Sequence, residues 1–244
     1  MNPLQNPSDI KEYYQDAGVV GDYMRRRTAE PLGSVRHEEQ VRFLNRVIAS
    51  RAPRRVLEVA PGPARLTAEL VPVPVGIAAE FSPAMITAAR ERLGRSTPWS
   101  LVRADAFSLP LRDAQFDLAF TLRFVRHFSQ ADRARLYAEF HRVLRPGGGL
   151  IVDAQNRMVR DEGHVDRHVV YDELYTAETL RGELADHGFR LVELHGVIMH
   201  HHLQRRLNRM RALGLGGVAR RLIAALERLP SANPSTWMVL GERI

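Results

Sequence analysis

The feature that most constrains this chain is an apolar run with an acidic member, followed at once by a Pro/Gly/Ala turn. The run covers residues 56–59, with Glu58 as its acid, and the turn covers residues 60–64. A helical pattern begins at Arg65. This order predicts a β-strand, a tight turn and a helix N-terminus, which is the unit that α/β folds use to hold a nucleotide-like ligand.

A second strand with its own acid follows at the spacing that such a unit requires. A carboxylate that accepts from ribose hydroxyls stands roughly 20 residues further on, at the end of the second strand. Glu80 occupies that place. Ser82 is a good N-cap and Pro83 suits the first helical position. We therefore predict a helix from Ala84 to Leu93.

Three further segments continue the alternation of strand and helix. Residues 101–107 predict a third strand that runs into a turn at Asp105, and residues 115–121 predict a fourth strand. Residues 139–153 predict a helix, a Pro-Gly-Gly turn and a fifth strand. This alternation favours a parallel doubly wound sheet. A nicotinamide-dependent Rossmann enzyme would need Gly-x-Gly-x-x-Gly after the first strand, and that spacing is absent from the sequence.

In this order, the five segments resemble the class I S-adenosylmethionine (SAM) methyltransferases between Arg54 and Asp153, and more loosely to the end of the chain. The family's first turn is written acidic-x-Gly-x-Gly-x-Gly. Gly62 holds the central glycine, whereas Ala60 and Ala64 replace the outer two. Alanine is the smallest substitute for a residue that permits positive φ, so we expect an altered site rather than a lost one. The resemblance implies S-adenosyl-L-methionine as the cofactor and S-adenosyl-L-homocysteine as the product.

The resemblance also implies the fold class. It is a Rossmann-like, doubly wound α/β sheet of seven strands, mostly parallel, with an antiparallel last strand. We expect one methyltransferase domain over residues 1–244. Its parts are an N-terminal helical cap (1–50), a SAM-binding core (51–198), a helical insertion (199–230) and the last strand (231–244).

A set of site residues follows from the same resemblance. Those expected around the cofactor are Glu58, Ala60, Gly62, Glu80, Phe81, Met85, Asp105, Ala106 and Thr121. Glu80 is expected to accept from the ribose, and Asp105 from the adenine amino group. Tyr14 and Tyr23, in a stretch predicted to be helical from Ser8 to Ala29, would lie near the sulfonium. There an aromatic ring adds about 0.5–2 kcal/mol of cation–π attraction.

The acceptor end of the site is expected beyond the fourth and fifth strands. Alignment and desolvation supply much of the rate of methyl transfer, and a base is needed only if the nucleophile must lose a proton. His127 is the candidate base, with packing or helix capping as the equally open alternative. Asp153 and Asn156 would position a hydroxyl or an amine. Residues 200–202, all histidine, are interpreted as surface polar sequence with no metal, because consecutive helical residues point about 100° apart.

The insertion predicts two amphipathic helices joined by a glycine hinge. Its predicted apolar faces are Leu203, Leu207 and Met210 on one helix and Leu222, Leu226 and Leu229 on the other. Two interpretations stay open. The insertion closes over SAM and substrate together with the N-terminal helix, or it is a hairpin packed on the sheet edge with a solvated arginine face.

The formal net charge of +7 and the absence of cysteine narrow the function classes. No disulfide, thiolate metal site or cysteine nucleophile is available. Neither a signal peptide nor a membrane-spanning run is visible, so a cytoplasmic protein is expected, with peripheral membrane contact through the arginines left open. Arginine spread over the whole chain disfavours a nucleic-acid partner. The oligomeric state is left open.

The leading hypothesis is a SAM-dependent methyltransferase that acts on O, N or C of a small organic molecule, hydrophobic or aromatic, as in the quinone-biosynthesis-like group. One alternative is an RNA methyltransferase that uses the arginine-rich insertion. Another is a SAM- or nucleotide-binding protein without catalytic activity, which the replacements Ala60 and Ala64 suggest.

Overall fold

An eight-stranded β-sheet runs through the part of the chain that the computed structural model describes, which is residue 4 and residues 6–15, 18, 29–160 and 170–244. Its strands are β1 (Arg55–Val59), β2 (Val75–Glu80), β3 (Trp99–Arg103), β4 (Phe116–Phe120), β5 (Leu144–Asn156), β6 (Leu174–Tyr175), β7 (Phe189–Val197) and β8 (Thr236–Arg243). The order across the sheet is β3-β2-β1-β4-β5-β8-β7, and β6 pairs with the end of β5.

The strand directions confirm the predicted Rossmann-like, doubly wound sheet. Strands β1 to β5 run parallel to one another, whereas β8 lies between β5 and β7 and is antiparallel to both. The prediction of seven strands omitted β6, which has only two residues. The strand order reverses between β1 and β4, and open α/β sheets bind ligands at such a switch point.

The helices are α1 (Pro7–Tyr13), α2 (Pro31–Arg51), α3 (Pro83–Leu93), α4 (Gln130–Val143), α5 (Ala177–Asp186), α6 (His201–Asn208) and α7 (Gly216–Glu227). The predicted start of α3 is confirmed, because the Ser82 hydroxyl accepts from the Met85 amide at 3.3 Å. Of the helix predicted from Ser8 to Ala29, α1 covers the beginning, and most of the remainder lies outside the described residues. No helix within the described ranges is long and apolar enough to cross a membrane.

Apolar layers cover both faces of the sheet. On one face, Leu136 and Phe140 of α4 belong to the same buried cluster as Ile10 of α1. On the other face, Phe43 of α2 packs in a cluster that includes Ile223 of α7. A parallel sheet needs this double cover because both of its faces are apolar.

The helix predicted after the first turn is wrong. Residues 62–66 continue as turns, and only Thr67–Glu69 forms one 3-10 turn. Pro72 and Pro74 follow closely and lack the amide hydrogen that a longer helix would need. The Asn45 side chain of α2 instead bonds the backbone where this turn ends: it donates to the Glu69 carbonyl at 3.1 Å and accepts from the Val71 amide at 2.8 Å.

The insertion forms the two predicted helices but buries a different face. A 3-10 turn, Arg209–Leu213, and Gly214 at φ 75° separate α6 from α7. Ala219 and Ile223 of α7 are buried, on the side that packs on α2 and α6, whereas the leucines expected on the apolar face include the exposed Leu222. The predicted apolar face is therefore wrong at Leu203, Leu222 and Leu229, which are exposed, whereas Leu207 of α6 packs against the buried cluster of α2. On α7, small and branched side chains allow the close approach to α2.

A buried carboxylate fixes the root of the insertion. Glu227 Oε1 accepts from the Ile198 amide at 2.7 Å, and Oε2 accepts from the Met199 amide at 3.1 Å and from Gln204 Nε2 at 2.7 Å. Ile198 has a φ of 60°, so the chain leaves β7 through a left-handed residue. Glu227 therefore holds a backbone conformation that a branched residue rarely adopts.

We predict that Glu227→Ala lowers the free energy of unfolding by about 1.5–3 kcal/mol, because buried amides lose a charged acceptor. Urea unfolding measures the change. The matched control is Glu91→Ala, which removes the same group from an exposed position on α3. Equal stability of the two variants would contradict the assignment.

Candidate active site

A cleft of about 740 Å³ opens at the carboxyl ends of four strands. Ala60 follows β1, Glu80 ends β2, Asp105 follows β3 and Leu122 follows β4, and all four line the cleft. Because open α/β sheets bind ligands at this edge, the cleft is the candidate ligand site.

The turn after β1 has a left-handed backbone at three alternate positions. The φ angles are 55° at Ala60, 58° at Gly62 and 54° at Ala64. Glycine adopts this conformation readily, and another residue there costs on the order of 1–2 kcal/mol. The Ala60 amide donates to the Ala79 carbonyl at 2.9 Å, which ties the turn to β2. Alanine therefore stands at two positions where the family has glycine, and the backbone there is still left-handed.

Glu80 connects the turn after β1 with the start of α3. Its Oε2 accepts from the Gly62 amide at 3.0 Å, and its Oε1 accepts from the Ser82 amide at 2.9 Å. Burial raises the pKa of Glu80 against the lowering effect of these amide hydrogen bonds. Each oxygen can accept a second hydrogen bond, so the carboxyl can hold the turn and a ligand together.

Helix α1 closes another side of the cleft through Ile10, Lys11 and Tyr14. Lys11 Nζ lies 2.6 Å from Asp105 Oδ2. The same ammonium lies 5.0 Å from the ring centre of Phe81 and 5.3 Å from that of Phe107. One cation therefore joins the N-terminal helix to the strand ends.

His127 lies in a 3-10 turn, Val125–His127, beyond the end of β4. Its Nδ1 lies 2.6 Å from the Tyr171 carbonyl and 3.0 Å from Asp172 Oδ1. A carbonyl can only accept, so the proton sits on Nδ1 and the lone pair on Nε2. Burial and the charge of Arg126 lower the pKa of His127, against the opposing effect of Asp172, so the ring is neutral at pH 7.

A buried arginine holds two acids beside this histidine. Arg126 Nε lies 3.2 Å from Asp153 Oδ2, and Arg126 also bonds Asp172. Burial opposes ionisation of Asp172, but the charge of Arg126 and the contact with His127 outweigh it, so the pKa of Asp172 is lowered. Asp153 also accepts from the Arg123 amide at 2.5 Å. Asp153 is thus engaged by the protein itself.

The structure brings most of the predicted site residues to the cleft. Those that line it are Ala60, Gly62, Glu80, Phe81, Met85, Asp105, Ala106 and Tyr14. Glu58, Thr121 and the candidate base His127 are buried and are not among the lining residues. Tyr23 lies outside the described residues.

Some residues expected near the acceptor have other roles. The Asn156 amide donates to the Pro234 carbonyl at 2.8 Å, which joins the end of β5 to the segment before β8. His201 is buried, so the interpretation of residues 200–202 as surface sequence is wrong at its centre. The insertion supplies no lining residue to the cleft in the described part of the chain, because it packs on α2.

Several lining residues were not predicted: Lys11, Phe107, Arg123, Phe124 and Phe128. Their sequence signal is weak, since aromatic residues at a spacing of four usually indicate packing. Phe128 meets Phe124 and Phe107 edge to face, at ring-centre distances of 4.9 and 5.3 Å. Phe107, Phe124 and Phe128 therefore form one side of the cleft beyond the end of β4, which we call the aromatic wall.

Glu58 has no ion-pair partner of its own in the described structure. The Thr67 hydroxyl donates to it, and Arg65 is a more distant cation. Burial, with a smaller contribution from the nearby Glu80, raises the pKa of Glu58 to about 8 against these two effects. Glu58 is therefore a mostly neutral acid inside the sheet at pH 7.

A family profile described as a methyltransferase domain matches residues 57–152, from β1 into β5. Over these residues the chain carries a SAM-dependent methyltransferase domain. The match spans the segments that hold the turn after β1, Glu80, Asp105 and the fourth and fifth strands. The predicted family, enzyme class and cofactor are thereby confirmed.

Alignments with similar proteins cover more of the chain than this family profile does. An O-methyltransferase of Penicillium expansum is 25% identical, over 98% of this chain and 93% of its own. A malonyl-[acyl-carrier protein] O-methyltransferase of Geobacter sulfurreducens is 30% identical, over 58% of each chain. The structure of the magnesium protoporphyrin IX methyltransferase of Synechocystis has a TM-score of 0.66 at 12% identity, over 98% of this chain and 100% of its own. This last likeness is one of fold.

The residues of the cleft fit SAM chemically. Carboxylates stand at the end of β2 and after β3, and the hydroxyls of a ribose and the amino group of an adenine are donors that such acceptors suit. Phe81 and Met85 add apolar surface to the lining. Gly62 leaves open space, since a Cβ there would meet only Met85 Sδ, at 3.8 Å.

We predict that the stability conferred by Glu58 falls as pH rises from about 4.5 to about 8. In that window the folded state binds more protons than the unfolded state, and each unit of separation is worth about 1.4 kcal/mol. Glu58→Gln should lose this slope and be the more stable protein above the window. Urea unfolding on both sides of the window measures it, with exposed Glu91→Gln as control. If Glu58→Gln kept the wild-type slope of unfolding free energy against pH, that slope would come from another group.

Proposed function

We propose that this methyltransferase modifies a small, hydrophobic or aromatic molecule at an atom that loses a proton during transfer. The observation that carries the proposal is the fixed tautomer of His127, whose sequence neighbours Phe124 and Phe128 line the cleft. The names of the Penicillium and Geobacter relatives support oxygen as that atom. A nitrogen or an acidic carbon would lose a proton in the same way, so both stay candidates for the methylated atom.

The cofactor side of the site is assigned by chemical fit. SAM supplies a methyl group on a sulfonium, which is already a good leaving group. We assign the ribose to Glu80 and the adenine amino group to Asp105, with apolar contact from Phe81, Met85 and Ala106. The turn at Ala60 and Gly62 lets the backbone approach the ligand. Ideal positioning of the two reactants lowers the activation barrier by on the order of 7–11 kcal/mol.

The acceptor side is assigned to the aromatic wall. Phe107, Phe124 and Phe128 present ring surface to the cleft. Offset and edge-to-face contacts between rings favour a flat apolar molecule there. Arg123 also lines the cleft and can orient a polar substituent of the acceptor.

In this proposal the proton passes from the acceptor to His127. Nε2 of His127 would take the proton that the acceptor atom loses on methylation, while the sulfonium would supply the methyl group and leave as the neutral thioether S-adenosyl-L-homocysteine. Nδ1–H stays bonded to the Tyr171 carbonyl. Asp172, held ionised by Arg126, stabilises the imidazolium that results. Tyr171 and Asp172 are therefore positioning residues.

We also propose that residues 1–50 cap the cleft as part of one domain over residues 1–244. The lining contacts of Ile10 and Tyr14 support this role for the N-terminal segment. The insertion is not assigned to the lid, because its described contacts lie on α2. The RNA-directed and non-catalytic alternatives receive no support from the Penicillium and Geobacter relatives, which are both named as O-methyltransferases.

We predict that Glu80→Ala weakens SAM binding about tenfold to a hundredfold, the loss expected for a charged hydrogen bond. Isothermal titration calorimetry measures the affinity. Glu80→Gln keeps the size of the side chain and should lose less. Exposed Glu178→Ala on α5 is the control. Unchanged affinity in a folded Glu80→Ala protein would remove Glu80 from the site.

We predict that His127→Ala lowers kcat while SAM affinity stays within about twofold, as expected for a group that acts mainly in the transition state. The wild-type rate should rise with pH through the pKa of His127, which lies below 6.5, and then level off. The variant should lack this rise. A variant that keeps the same pH profile, or that loses SAM binding in parallel, would mark His127 as structural.

The function itself is tested with labelled SAM and metabolite extracts, followed by mass spectrometry of the methylated product. The expected product is a small organic molecule with a new O-, N- or C-methyl group. Label found in RNA, or SAM bound without transfer to any extract, would replace this proposal with one of the alternatives.

A further inference from the structure

The α6–α7 hairpin leaves a set of large apolar side chains in solvent. These residues are Leu203, Leu213, Leu215, Val218, Leu222 and Leu229, and between 43% and 76% of each is exposed. We call them the interfacial surface. Scattered apolar residues are ordinary on a protein, but several on one hairpin indicate contact with something apolar.

Helix geometry makes part of this surface continuous. Leu215, Val218 and Leu222 recur at spacings of three and four, which places them along one side of α7. The packed side of the same helix carries Ala219 and Ile223. The exposed stripe is therefore additional to the residues that hold α7 on the protein.

Arginines surround the interfacial surface. The exposed arginines of residues 199–230 are Arg205, Arg206, Arg209, Arg211, Arg220, Arg221 and Arg228. Arg211 pairs with Glu30 at 2.9 Å and Arg220 with Glu38 at 2.6 Å, and the other five form no ion pair with the described residues. The segment has one acid, Glu227, which is buried and bound to the backbone. The surface therefore combines apolar stripes with uncompensated positive charge.

We propose that the interfacial surface docks this methyltransferase on an anionic lipid surface. Leucine and valine side chains enter the boundary between headgroups and acyl chains, and arginine side chains reach the lipid phosphates. Each basic residue near such a surface contributes attraction that is screened within a Debye length. The positive charge matches the lipid phosphates and the apolar stripe matches the acyl chains, so both features fit one partner.

Charge distinguishes this partner from the other candidates. A second copy of the chain would bring two arginine-rich faces together without acids between them, which is unfavourable. Single-stranded nucleic acid is held by stacking on aromatic side chains as well as by charge, and residues 199–230 contain no Phe, Tyr or Trp. Exposed leucines contribute little to phosphate binding. Lipid is the partner that uses both features.

The test is flotation of the full-length protein with vesicles of phosphatidylcholine alone and of phosphatidylcholine mixed with phosphatidylglycerol. We expect binding to the mixed vesicles only, weakened by salt. Leu213→Gln/Leu222→Gln and Arg221→Gln/Arg228→Gln should each reduce partitioning about tenfold or more. The matched controls are Val192→Thr, at an exposed position of β7, and Arg92→Gln/Arg95→Gln, which removes the same charge near the end of α3.

SAM affinity and circular dichroism show that each variant is folded, since none of these residues lines the cleft. Equal binding to neutral and mixed vesicles, or the same loss in the controls, would overturn the proposal. So would a dimer that the leucine variant converts to monomer. Tight binding of an RNA oligonucleotide that the arginine variant loses and the leucine variant keeps would assign the surface to nucleic acid instead.

Discussion

The candidate cofactor site depends on a buried carboxylate that accepts two backbone hydrogen bonds. Glu80 receives the Gly62 amide from the turn after β1 and the Ser82 amide from the start of α3. These two turns belong to different strand–helix units, and the hydrogen bonds fix their spacing at the carboxyl edge. A left-handed backbone at Ala60 and Ala64 is tolerated in this setting because neighbouring strands and Glu80 hold the turn from several sides.

The parts of the fold that were predicted correctly have local causes. Ser82 and Pro83 specify the start of α3 within a few residues, and alternating strands and helices specify a parallel sheet. The part that failed has a distant cause. The segment after the first turn forms no α-helix, and its backbone is bonded by Asn45, which lies in a preceding helix. Sequence periodicity carries no information about such a partner.

The site shows the same division. The acids Glu80 and Asp105 were predictable because each ends or follows a strand in a recurrent motif. The partners of His127 were not, since Tyr171 and Asp172 come from a segment before β6 that has no motif. In the insertion, the leucine pattern predicted the wrong face. Glu227 is buried there and accepts a backbone hydrogen bond, although a hydrophobicity pattern assigns an acidic residue to solvent.

The ion pair between Lys11 and Asp105 links the cleft to the N-terminal helix. Asp105 is assigned to the adenine amino group, and it also holds Lys11 of α1 at 2.6 Å. A carboxylate can accept from both donors at once, so in this assignment α1 and the cofactor share one acceptor. Binding of the cofactor and docking of α1 are then coupled through Asp105, and salt weakens both because it screens the charges of the pair.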